Sequence, residues 1–289
     1  MSDRIELTLG HSPDPDDAFM FYALAKDKID TGPYHFTHVM EDIQTLNERA
    51  TRGELDITAI SIHAYAYVLD KYALLPAGAS MGFGYGPMVV APQKIAPQDL
   101  ADTTIAIPGK MTSAYLELLL AIGRFEAAVV PFDEIIPRVA SGEFPAGLII
   151  HEGQLTYRDA GLAECINLGQ WWWETTGHRD WPLPLGGNAI HKKHGDKMKG
   201  ISDILTASIR YSLDNRQAAL DYALGWARDM GGELADEFVG MYVNDWTLDY
   251  GDRGRAAIRE LLDRGHRAGL IPEVKELEFV AADEAENPQ

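Results

Sequence analysis

The sequence has a single cysteine, Cys165, in 289 residues. No disulfide can form within the chain, and a thiolate zinc cluster is excluded. No apolar run is long enough to cross a bilayer. The N-terminus, MSDRIELTLGHSPDPDD, lacks a basic stretch followed by a long apolar one, so no secretory signal is read there and the expected location is cytoplasmic. Basic residues are also scarce, 25 against 44 acidic ones, giving a formal net charge of −19. A broad basic surface for phosphate backbones is therefore absent, and nucleic acid is not an expected partner. A small anion in a locally positive pocket stays compatible with this charge.

Material for a core is plentiful. Hydrophobic residues make up 46% and charged residues 24%, the balance of a globular chain. The length suggests two compact lobes or one large one. Strand patterns at 5–9, 34–40 and 56–60 alternate with helical patterns at 17–27, 43–51 and 62–71, which predicts a mostly parallel, layered α/β lobe. In GASMGFGYGPMVVAP, Gly78, Gly82, Gly84 and Gly86 precede a strand at 88–91. A dinucleotide loop needs its strand before the glycines and a helix after them, so this segment reads as a crossing between lobes.

The second lobe opens with a strand at 104–107, the loop PGKMTS and a helix at 114–122, followed by further elements at 129–132, 135–140 and 148–150. PLPLGGNA, at 182–189, has the punctuation of a return crossing. Helices follow at 204–213, 216–230, 234–243 and 253–268, and the polar tail ADEAENPQ is expected to fray. The expected division is a discontinuous first lobe, 1–91 with 189–289, and a second lobe, 92–188.

Chemistry concentrates where strands end. In AGLIIHEGQLTY an apolar strand stops at His151 and Glu152, and the carboxyl ends of parallel strands are where such folds build sites. His151 is thus a candidate general base, weighed against a structural histidine bonded to a carbonyl. In GHSPDPDDAFMFYAL, Ser12, Asp14 and Asp16 join the first strand to the first helix and suit either a pocket wall or helix capping. They are not an EF-hand: counted from Asp14, the required glycine and glutamate are Phe19 and Ala25. In PGKMTSAYLELLL, Gly109, Lys110, Thr112 and Ser113 lead into a helix whose first N–H groups suit a carboxylate or phosphate, although no Walker pattern is present. Ser61 follows the third strand without a nucleophile elbow, so ligand hydrogen bonding or capping is expected rather than attack. Of Trp171, Trp172 and Trp173, one or two should pack inward. The pair His191 and His194 flanks two lysines and is a poor cation site.

Together, SPDPDDAFMFYAL, EDIQTLN, PGKMTSAY and LIIHEGQLTY resemble the 1,4-dihydroxy-6-naphthoate synthase family of the futalosine route to menaquinone, and the block around His151 is the most specific of them. The resemblance implies a two-lobed α/β fold like that of type II periplasmic binding proteins, with a central cleft and two crossings between lobes. It implies a lyase that converts cyclic dehypoxanthine futalosine, a small anionic cyclic substrate, into 1,4-dihydroxy-6-naphthoate without redox cofactor or metal. His151 falls on the family's base, and Ser61, Thr112 and Ser113 fall on pocket positions. Asp14 and Asp16 stand where the family's SPCPND form has cysteine and asparagine. The alternatives are chorismate dehydratase, a two-lobed relative acting earlier in the pathway, and a solute-binding protein for a small carboxylate.

Overall fold

The computed structural model describes residues 4–226 and 231–281. The first strand, β1 (Ile5–His11), turns through Ser12 and two prolines into helix α1 (Pro15–Met20), which breaks at Phe21 before α2 (Tyr22–Ala25). The single helix expected at 17–27 is therefore two short ones. Next come β2 (Tyr34–Met40), α3 (Ile43–Arg52), β3 (Ile57–Ser61) and α4 (Ile62–Tyr65). The pattern at 62–71 is helical only in its first turn and continues as turns into β4 (Tyr72–Leu74), which pairs with a later strand. The short strand β5 (Ser80–Gly82) precedes the crossing.

Strand β6 (Met88–Ala91) is followed by β7 (Ile105–Ile107), α5 (Ser113–Ile122), β8 (Ala127–Val129), α6 (Ile135–Ala140), β9 (Ala146–Ile149), α7 (Gly153–Thr156), β10 (Ala163–Asn167) and α8 (Leu168–Thr176). The chain returns through β11 (Leu183–His191) and ends in α9 (Met198–Asp214), α10 (Arg216–Ala223), α11 (Gly232–Tyr242), α12 (Asp245–Leu248) and α13 (Gly251–Arg267). The last part of the helix expected at 216–230 and the tail 282–289 lie outside the described residues.

Two sheets result. The first has the order β2-β1-β3-β11-β4, with β5 also on β11, and the second β10-β6-β9-β7-β8. Strands formed by βαβ units are parallel: β1 with β2 and β3, and β7 with β8 and β9. Strands next to a crossing are antiparallel: β11 with β3, β4 and β5, and β6 with β9 and β10. Each sheet is thus mixed rather than mostly parallel. Two details differ from the expected division of the chain. Strand 88–91 is a member of the second sheet, and PLPLGGNA is the body of a nine-residue strand of the first. Its glycines serve packing: a Cβ on Gly187 would lie 1.9 Å from the Tyr250 hydroxyl, and one on Gly186 3.2 Å from the Ile60 carbonyl oxygen.

Helix α3 shows how local sequence sets the frame. Asp42 caps its start by accepting from the Thr45 N–H at 3.1 Å, and Gly53, at φ 69°, ends it in the left-handed region that glycine favours. Leu46, Asn47 and Ala50 form its buried face, while Glu48, Arg49 and Arg52 stay on the outer one. Trp172 is fully buried in the core between the second sheet and α13, whereas Trp171 and Trp173 only pack against it.

On α5, Glu117 is completely buried and neither carboxylate oxygen has a hydrogen-bond partner among the described residues, so burial pushes its carboxyl well above the usual carboxylate range. The folded state then binds a proton that the unfolded chain gives up, and this site loses stability as pH rises above the ordinary glutamate value. Glu117→Leu should raise the unfolding midpoint, by roughly 1–3 kcal/mol of relieved desolvation, with a larger gain at pH 8 than at pH 5. Equal gains at both pH values in denaturant titrations would refute this account.

Candidate active site

The loops after β1, β3, β7 and β9 all leave the carboxyl ends of parallel strands, and together with β11 and α11 they surround one cleft of about 750 Å³ counted with its open mouth. Ser12, Asp14, Asp16 and Asp17 form one wall, Ser61 and Leu185 to Asn188 the floor, and Thr112, Ser113 and His151 the opposite wall. Of the residues singled out in the sequence, His151, Ser61, Thr112, Ser113, Asp14 and Asp16 therefore converge. Gly109 does not line the cleft. It lies beneath Gln44 of α3, whose Oε1 is 2.1 Å from where a Cβ on Gly109 would stand. Its role is to let that side chain approach.

His151 follows β9 by two residues, and its ring packs edge-on against Phe132 with centroids 4.2 Å apart. Its Nδ1 lies 3.2 Å from Asp14 Oδ2, while its Nε2 is buried and has no hydrogen-bond partner among the described residues. With Asp14 as the carboxylate, the proton belongs on Nδ1 and the lone pair on Nε2.

The hydroxyls are less free than their positions suggest. Thr112 caps α5, accepting from the Tyr115 N–H at 3.2 Å and donating to the Gly109 carbonyl at 2.9 Å. The Ser113 hydroxyl donates to the Leu185 carbonyl of β11 and accepts from the His63 N–H. What α5 offers a ligand is its first backbone N–H groups, at Ser113 and Ala114, which have no preceding turn to bond and lie in the cleft wall. Ser61 Oγ accepts from Asn47 at 2.9 Å and keeps its own proton to donate.

The acidic wall is electrostatically crowded. Burial, with Asp17 and Asp14 beside it, pushes the Asp16 carboxyl well above the usual range. Burial raises Asp17 to about 7 although it accepts the Ser12 N–H at 2.6 Å. Behind this wall His11 Nδ1 donates to the Ser12 carbonyl at 2.9 Å, and its Nε2 lies 2.9 Å from His38 Nδ1. Burial, and then the neighbouring His11 and His35, lowers His38 to about 4, which keeps the pair neutral. Among the described residues, Asp14, His151 and Glu152 are the group that brings three potential metal ligands within 4.8 Å of one another.

Several residues in the cleft wall or directly behind it carried no assigned role in the sequence. The Asn47 amide donates to Ser61 Oγ and to the Met111 carbonyl and accepts from the Ser61 N–H, and Gln44 accepts from the Met111 N–H at 2.9 Å. Both lie in EDIQTLN, and Asn47 stands out as a polar residue on the buried face of α3. Asn188, with an unpartnered Oδ1, sits in what was expected to be a crossing. Tyr242, bonded to Gln154 at 2.7 Å, comes from the helix expected at 234–243, whose approach to the cleft no local pattern marks.

The fold class follows from this architecture. A Candida albicans protein described as exhibiting the generic periplasmic binding protein structural fold matches with a TM-score of 0.70 at 14% identity, over 97% of this chain and 99% of that one. The family follows from the sequence: the model of the menaquinone biosynthesis family matches residues 7–267, and the chain belongs to that family. A Thermus thermophilus relative named 1,4-dihydroxy-6-naphthoate synthase is 39% identical over 265 residues, 91% of this chain and 95% of its own. A crystal structure of an Archaeoglobus fulgidus protein, 43% identical, matches with a TM-score of 0.87 over 92% of this chain and 98% of that one.

Asn47 is the joint between the floor of the cleft and the loop before α5. Asn47→Ala leaves the Ser61 N–H and the Met111 carbonyl unpaired and should cost roughly 1–3 kcal/mol in urea unfolding. An unchanged midpoint would mean that this buried amide contributes nothing.

Proposed function

We propose that the chain is a 1,4-dihydroxy-6-naphthoate synthase, a cytoplasmic carbon–carbon lyase that converts cyclic dehypoxanthine futalosine into 1,4-dihydroxy-6-naphthoate with release of a sugar-derived fragment. Family membership and the naming of the Thermus thermophilus relative support the activity. The observation that carries the mechanism is the buried, unpartnered Nε2 of His151 in the wall of the cleft.

His151 takes a proton from the bound ring system onto Nε2, and the electrons left behind drive the bond cleavage that ends in an aromatic product. The substrate carboxylate lies against the Ser113 and Ala114 N–H groups, where the start of α5 favours negative charge. Ser61 donates its hydroxyl proton to a ligand oxygen. Asp16, which readily holds a proton, and Asp17 face the hydroxyl-bearing part of the substrate, so the anionic end and the acidic wall stay apart. The two sheets define two lobes that close over the substrate and exclude water, with the crossings between β5 and β6 and between α8 and β11 as hinges. No helix among the described residues is long and apolar enough to span a membrane.

Purified protein incubated with cyclic dehypoxanthine futalosine should yield 1,4-dihydroxy-6-naphthoate by chromatography and mass spectrometry. With chorismate as the substrate, no product should appear. His151→Asn should bind substrate yet lose turnover by roughly 10²–10⁴-fold. Binding of the futalosine without turnover would point to a solute-binding role, and near-normal turnover in His151→Asn would remove the imidazole from the mechanism.

A further inference from the structure

Asp14 occupies the position before α1 where an aspartate ordinarily turns back to cap the helix, yet its side chain makes no capping hydrogen bond. The backbone there is extended, at φ −113° and ψ 155°, and Pro13 and Pro15 on either side restrict it further. The side chain is 4% exposed and reaches across the cleft to His151 Nδ1 at 3.2 Å. A carboxylate that forgoes its local partner to meet an imidazole on the other sheet acts through that imidazole.

We propose that Asp14 is the positioning residue of the proton-abstracting step: it accepts the Nδ1–H of His151, fixes the tautomer that leaves Nε2 as the base, and stabilises the ring once it carries the abstracted proton. This rests on the lyase reading above. No atom is transferred to Asp14. The proton moves from substrate carbon to Nε2, the ring becomes an imidazolium, and Asp14 holds both ring states in one orientation. Three further features agree with this assignment. The Phe132 ring lies against the imidazole and limits its rotation. Asp17 is already committed to the Ser12 N–H. The His11 ring, bonded to the Ser12 carbonyl, anchors the loop from which Asp14 extends.

Asp14 belongs to the β1–α1 loop of the first sheet and His151 to the second sheet, so their contact exists only with the cleft walls at this separation. The base is completed by the approach of the two walls, and an open cleft leaves the imidazole without its orienting partner.

Two measurements test the assignment. In ¹⁵N-labelled wild-type protein near pH 8, long-range proton–nitrogen spectra should show the His151 ring, assigned by comparison with His151→Asn, protonated at Nδ1. Asp14→Ala should lose that tautomer. In steady-state kinetics Asp14→Ala should lower kcat by roughly tenfold or more while KM stays within about threefold, because the residue supports the base and not the substrate. Asp14→Asn keeps the shape without the charge and should show the same kcat loss, which covers the case of a misfolded alanine variant. A raised KM with kcat retained would make Asp14 a substrate ligand and overturn the proposal. A wild-type ring protonated at Nε2 would overturn it whatever the kinetics. The expected tautomer in a wild-type protein that turns over no futalosine would sink the lyase reading and leave the pair standing.

Discussion

The spacing of the cleft depends on two amides of α3. The strand ends deliver loops from both sheets to the same region, but nothing in strand geometry sets how far apart those loops stand. Asn47 and Gln44 do, by bonding the backbone of Met111 at both its N–H and its carbonyl while Asn47 also holds Ser61. An amide can donate and accept at once, so one buried side chain satisfies groups on two separate elements without introducing charge. With those bonds made, the start of α5 faces the floor and His151 comes within reach of Asp14.

Much of this was written locally in the sequence. Periodicity marked most of α3, α5 and α13, and runs of strand-forming residues marked β1 to β3, of which β3 is buried at every position. The rule that sites form outside the carboxyl ends of parallel strands then pointed to Ser61, Thr112, Ser113 and His151. Other features were not legible. Strand β11 looked like a crossing because its proline and glycines are turn signals, whereas its glycines serve the close approach of Tyr250 and Ile60. The helix expected at 62–71 ends after Tyr65 and passes through turns into β4, which starts at Tyr72 and pairs with β11. Tyr242 reaches the cleft only through tertiary packing, and Thr112 proved to be spent on its own helix, as the capping alternative had it.

The cleft separates two electrostatic characters that the net charge of −19 conceals. One wall offers helix N–H groups and no carboxylate among its lining residues. The other crowds three aspartates so closely that burial and mutual repulsion favour protons on two of them. A ligand with an anionic end and a hydroxylated end meets a complementary wall at each. A dianion of uniform charge would not, so the arrangement selects orientation as well as identity.

Strands β5 and β11 pair from Leu183 opposite Gly82, at the very point where the chain leaves and re-enters the first sheet. Seen from that sheet, everything between them is one long hairpin loop whose ends are already joined. The entropy of closing a loop grows only slowly with its length, so the host sheet tolerates so large a guest at little extra cost. The second sheet is in this sense a cassette. It supplies the histidine and the helix N-terminus, and a different cassette on the same two strands would give the same host another chemistry.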